Sequence, residues 1–319
     1  MSPLAKTLEG VAVIIGSLAL GYLARKRGWL REEKAGSINR STLTFLSPWV
    51  SLVAMWALKS PGGSVLALPA ICALVILLTG PLAVWSARRL FPDRPSRGPW
   101  VLCAMFSNQG TTYGAFLCYL LLGTQGAALG LLFMIPLGPM LYLLGFYLAG
   151  RYAEGGATSP WQAVQQALRQ GYSRNPLLGL ALGLGLLAWH VPLPSWGPRL
   201  LDVIIPLETG LQLLAIGATL HFSLIPRYWR PVALMHGVKF LLAPALGLGL
   251  ATLLGLWGQA DNDLVRVVLI QSATPVAITA VVISAAARLN VGLATSLWVS
   301  TNLFAVLCAP LLLALARAL

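Results

Sequence analysis

Leu269–Asn290 reads LIQSATPVAITAVVISAAARLN, long and apolar enough for a membrane-spanning helix but unable to stay continuous. Pro275 has no amide hydrogen and its ring crowds the preceding turn, so the carbonyl one turn earlier, at Gln271, loses its helical partner. Backbone groups freed at bilayer depth persist only when they are buried in protein or line a wet cavity. Gln271, Ser272, Thr274 and Thr279 cluster around this break. A substrate-binding site is expected there, with Gln271, Ser272, Thr274 and Pro275 contributing to it.

A second stretch matches it. In Val101–Gly123 the run Ser107-Asn108-Gln109-Gly110-Thr111-Thr112-Tyr113-Gly114 sits in the middle of an otherwise apolar segment, and a shift of 165 residues lays Ser107 on Ser272 and Gly110 on Pro275. In a chain of 319 residues that shift is about half the length, which points to an internal repeat. Paired interrupted helices at matching positions of two halves mark the site of a secondary transporter. Asn108, Gln109, Gly110, Thr111 and Tyr113 are therefore expected to complete it. Asn108 is the first choice as a side-chain ligand, because its amide both donates to a carboxylate and accepts from a helix end; the alternative is an Asn that only caps its own half-helix.

Composition agrees. The chain is 57% hydrophobic and 10% charged, with a mean hydropathy of +0.78, far too apolar for a soluble domain of this size. A net charge of +13 suggests nucleic acid only where basic residues gather on one face. Here they lie between apolar segments, which suits anionic lipid headgroups, so the partner is the lipid bilayer and no nucleic acid is expected. Cys72, Cys103, Cys118 and Cys308 sit inside apolar runs, and His190, His221 and His236 share no ligand spacing. They imply no cofactor and no metal. No paired acids, nucleophile with its base, or metal cluster stands at depth, so an enzyme is not expected.

Ten apolar segments span about 5–24, 37–58, 65–88, 99–122, 125–150, 176–192, 201–222, 231–257, 264–287 and 292–316. Sixteen Lys and Arg residues fall in loops on one side and five on the other. That asymmetry places both termini outside the cell membrane. Ten spans divide into five and five, and an odd number per half forces an inverted repeat. The fold class is an all-α membrane protein, with a cytoplasmic linker over 151–175 whose amphipathic WQAVQQALRQ lies along the membrane surface.

Further pieces carry a resemblance. The first segment ends in Gly21-Tyr22 and a basic turn, followed by Glu32-Glu33-Lys34, Asn39 and Pro48; then come SNQGTTYG, Arg174-Asn175-Pro176-Leu177, LLAIGATL, LLAP and SATPVAITAVV. In order and spacing the chain resembles the auxin efflux carrier family, over nearly its whole length. That resemblance implies a fold related to the bile acid:sodium symporters, with segments four and nine crossing at their breaks. It implies a scaffold of 1–60 plus 176–225 that dimerises, a moving transport domain of 64–150 plus 230–319, and substrates that are small organic anions. One departure is that family members often carry a proline in the segment-four break, where this chain has Gly110 and Gly114 instead.

Opposed half-helix N-termini make an anion site without any charged side chain. Within the implied transport domain the acids are Asp93, Asp261 and Asp263, all in loops. Sodium or proton coupling usually draws on a carboxylate, so an uncoupled anion carrier, or one whose substrate brings its own proton, is the leading expectation. Lys239 lies about nine residues, roughly 13 Å, inside the cytoplasmic end of segment eight. There it attracts the anion or controls closure, or else it snorkels to the inner interface or pairs with a carbonyl. Glu208 and Gln212 are expected nearer the outer side, lining the substrate path or meeting water at its mouth. An elevator-type carrier is the reading; a sodium-coupled symporter and a non-transporting receptor are its competitors.

Overall fold

The computed structural model describes residues 3–59, 63–153 and 169–319, together with 161, 162 and 165. Residues 154–160, 163, 164 and 166–168 of the linker, among them half of its amphipathic segment, lie outside the described residues. The helices are α1 (Pro3–Lys26), α2 (Glu32–Phe45), α3 (Ser47–Trp56), α4 (Ala67–Leu90), α5 (Arg94–Met105) and α6 (Gly114–Phe133). Next come α7 (Leu137–Met140), a π turn at Leu141–Gly145, α8 (Phe146–Tyr152), α9 (Gly171–Ala188) and α10 (Gly197–Ala218). α11 (Trp229–Gly237) runs through a π turn at Val238–Leu242 into α12 (Ala243–Leu253), and α13 (Asp263–Ser272), α14 (Ile278–Ala286) and α15 (Val291–Ala318) finish the chain.

Among the described residues five stretches are long and apolar enough to cross a membrane: Gly63–Leu90, Gly114–Tyr152, Gly197–Ala218, Pro226–Leu253 and Val291–Ala318. Their outer faces are covered with exposed Leu and Val, and Trp29, Trp49, Trp85, Trp189 and Trp229 are exposed as well. Apolar surface on that scale is unstable in water, and exposed tryptophans suit a membrane interface. This is an all-helical, multi-pass membrane protein.

The stretch Gly114–Tyr152 has 39 residues, about 58 Å as one straight helix against roughly 30 Å of hydrocarbon. The chain resolves the mismatch at Gly123, whose φ of 64° suits a residue without Cβ. A Cβ on Gly126 would lie 2.0 Å from the carbonyl oxygen of Cys118, so the chain folds back on itself there.

Prolines divide other segments, and partners on neighbouring helices replace what each removes. Pro48 deprives Thr44 of its helical donor, and α2 gives way to α3 at Leu46. Asn175 Nδ2 of α9 donates to Thr44 O at 3.1 Å. α3 packs on α9 and α1 on α10. The second pair is close enough that a Cβ on Gly217 would meet Leu18 O at 2.1 Å and one on Gly21 would meet Leu214 O at 2.0 Å. Small residues bring helices to backbone contact where no hydrophobic effect drives them together.

Candidate functional site

Two interruptions lie side by side inside the bundle. The first, residues 106–113, separates α5 from α6; the second, residues 273–277, separates α13 from α14. Their backbones pair antiparallel at Ser107 and Val276, with Asn108 N donating to Pro275 O at 2.8 Å and Ala277 N to Phe106 O at 3.2 Å. Each break frees groups that its own helix no longer satisfies, and each satisfies the other's. That mutual pairing follows from the rule that buried backbone groups find partners.

Side chains complete the repair. Thr274 Oγ1 donates to Gln271 O at 2.9 Å, the carbonyl that Pro275 leaves unpaired, and Gln109 Nε2 lies 3.5 Å from the same oxygen. The Gln271 side chain turns away, its Nε2 donating to Gly130 O at 2.8 Å. From α15, Thr301 Oγ1 accepts from Val276 N at 3.2 Å and Asn302 Nδ2 donates to Val276 O at 3.0 Å. Neither Thr301 nor Asn302 was singled out by sequence reasoning. The available signal was the polar run Ser300-Thr301-Asn302 in an apolar helix.

Lys239 takes one of its expected alternatives, pairing with carbonyls. Instead of snorkelling to the interface it is 1% exposed, in the π turn between α11 and α12. Its Nζ donates to Ala104 O at 2.9 Å, Phe106 O at 3.2 Å and Ser107 Oγ at 2.8 Å. These acceptors lie at the carbonyl end of α5, where the helix dipole is negative and the last carbonyls lack helical donors. A lysine ammonium with three donors fits that position.

Glu208 corrects an expectation. It does not meet water at an outer mouth: it is fully buried, and its Oε1 accepts from Ser47 Oγ, from Thr111 Oγ1 at 2.8 Å and from Gln212 Nε2 at 2.9 Å. Its Oε2 has no partner. Thr209 Oγ1 donates to Thr111 O at 2.8 Å and Thr112 Oγ1 to Gln212 Oε1. The side chains of α10 thus grip the first break. The acids of the implied transport domain do not include Glu208, which reaches the break from α10 of the implied scaffold, so a carboxylate does stand at the crossing and the case against cation coupling falls. Ser47 and Thr209 were also missed.

The remaining residues divide by accessibility. Asn108, Gly110 and Thr111 are partly open, as is Thr112, whereas Gln109, Tyr113, Gln271, Ser272 and Thr274 are sealed in protein. Tyr113 directs its hydroxyl to Ala305 O at 2.6 Å. Gln271 Oε1 and Ser272 Oγ are buried without partners. Among the described residues no acceptor meets the backbone amides of Gly110, Thr111 and Thr112 at the entry to α6, or of Ile278 and Thr279 at the entry to α14. The crossing therefore brings together helix-entry amides without an acceptor and the buried Lys239 side chain.

The class defined by this fold is a multi-pass helical membrane protein with two interrupted helices joined at a buried polar crossing. No family model matches the chain. It is similar to a protein from Methanothermobacter thermautotrophicus named as an uncharacterized transporter, 24% identical over 309 residues that cover 95% of this chain and 96% of the relative. It is likewise similar to an uncharacterized transporter from Methanocaldococcus jannaschii, 24% identical over 312 residues, 92% of this chain and 94% of the relative.

Proposed function

We propose that this protein is a secondary transporter of small organic anions, such as mono- or dicarboxylates, of the auxin efflux carrier type. The observation that carries the reading is the crossing itself: two broken helices whose entry amides have no acceptor, with Asn108 and Thr111 partly open at the first and Lys239 supplying positive charge at the end of α5. The similarity to two proteins named as transporters supports the same class. Ten spans in a five-plus-five inverted arrangement accommodate the paired breaks. In an elevator mechanism 64–150 and 230–319 carry the site past a scaffold of 1–60 and 176–225, and the scaffold helices form the dimer contact. The contacts from α10 to the first break then belong to one end state and are exchanged for others as the site moves.

A thermal-shift screen of mono- and dicarboxylates on the purified protein in detergent tests this. A bound anion at one hundred times its Kd stabilises by about 2.7 kcal/mol. At least one carboxylate is expected to raise Tm, with the shift reduced in Asn108→Ala. No shift with any carboxylate would overturn the anion reading.

A further inference from the structure

We propose that Oε2 of Glu208 is a proton-binding site, and that protonation there is coupled to anion movement through the grip of α10 on the first break. The coupling rests on the transporter reading above; the proton site does not. Three donors converge on Oε1 and none reaches Oε2, in a side chain with no exposure. The ion pairs among the described residues join Arg25 and His221 to Glu32 and Arg266 to Asp263, so none of them reaches Glu208.

Among the described side chains, the charged groups on the packed elements are engaged or turned elsewhere. On α1, Glu9 and Lys26 are exposed and Arg25 serves Glu32; on α2, Glu33, Lys34 and Arg40 are exposed. α3 carries none. On α6, Cys118 is buried in the core and Tyr119 donates to Asp202 of α10 at 2.7 Å, while Arg199 of α10 is exposed. On the first break, Tyr113 is bonded to Ala305 O, and Lys239 holds Ser107, four residues from Thr111.

One free oxygen selects a proton over a metal ion. A hard cation gathers six or more oxygens, but here the hydroxyls of Ser47 and Thr111 already point their hydrogens at Oε1 and Gln212 Oε1 is taken by Thr112. A cleft of about 590 Å³ lined by Lys34, Ser37, Ser41, Thr42, Leu46 and Leu211 ends on the chain neighbours of Ser47 and Gln212.

The two charge states do different things. An ionised Glu208 holds Thr111 by a charge-assisted hydrogen bond, roughly twice as strong as one to a neutral acid. When one proton binds Oε2, the carboxyl becomes neutral, the grip on the break loosens and the Lys239 charge at its far end stands alone. An anion arriving then meets net positive charge. The proton and the anion therefore bind together and move in the same direction.

Infrared difference spectroscopy of the wild type between acid and alkaline pH reads the site directly. A protonated-carboxyl C=O band is expected that disappears in alkali, is absent from Glu208→Gln, and shifts in frequency in Thr111→Val, which removes one donor from the same carboxyl. A band unchanged in both variants overturns the proton site, and Thr111→Val serves alone should Glu208→Gln fail to fold. Proteoliposomes loaded through a pH gradient of one unit, acid outside, are expected to accumulate [14C]succinate about tenfold in the wild type, and the ratio to the ungraded control is expected to fall to one in Glu208→Gln. Succinate flux that ignores the gradient, with no Glu208 band, overturns the proton site and leaves the carrier standing. The Glu208 band without succinate flux in either protein upholds the site and overturns the coupling.

Discussion

At the residue scale the crossing is a set of replacements for hydrogen bonds that the breaks remove. Thr274 stands in for the amide Pro275 lacks. Thr274→Val keeps the shape but leaves Gln271 O with only the 3.5 Å approach of Gln109, so it is expected to lower stability by about 1–2 kcal/mol, measured as Tm in detergent, with Thr274→Ser near wild type. Lys239→Met takes the donor from three buried acceptors at once. A loss of about 2–3 kcal/mol is expected, since the lysine's own burial offsets part of what its bonds contribute; an unchanged Tm would mean that the carbonyl end of α5 has other partners. Pro275 and the polar residues beside it were legible in the sequence. The residues that answer them were legible only in part: Lys239 stood out as a charge inside an apolar segment, whereas Thr301 and Asn302, which α15 brings to the second break, did not.

At the element scale, backbone contact rather than side-chain bulk joins α1 to α10. Gly217→Leu would drive a side chain into Leu18 O and is expected to destabilise by about 2–3 kcal/mol. Gly16→Ala, which meets nothing within 4 Å, is the control and should be silent. Thermal unfolding of both variants in the same detergent checks the pair. The placing of α10 matters because it carries Glu208, Thr209 and Gln212 to the first break. Sequence patterning locates such a helix by its apolar length, and its glycines hint at close packing. It does not say which helix the glycines face.

At the scale of the whole molecule, movement and orientation are open to measurement. Thr112 and Gln212 touch across the contact between the first break and α10. The double variant Thr112→Cys with Gln212→Cys is expected to stop anion flux when oxidised and to recover it on reduction, whereas flux that survives oxidation would count against an elevator. The distribution of Lys and Arg predicts the orientation: a membrane-impermeant maleimide is expected to label Gly28→Cys from the cytoplasmic side and Trp257→Cys from outside. Three of the four native cysteines are buried, which keeps the background low.

By itself the sequence determined that the chain belongs in a membrane, that it is helical, and that two of its spans break at Pro275 and around Gly110. Those properties are local: apolar length, a missing amide hydrogen and polar residues within a turn or two of each other. Only the tertiary structure decided that the breaks pair with one another, that Lys239 caps one of them and that Glu208 grips it from a helix of the other half. Such contacts join residues a hundred or more positions apart, and a buried charge chooses its partners by three-dimensional proximity, which spacing along the chain does not encode.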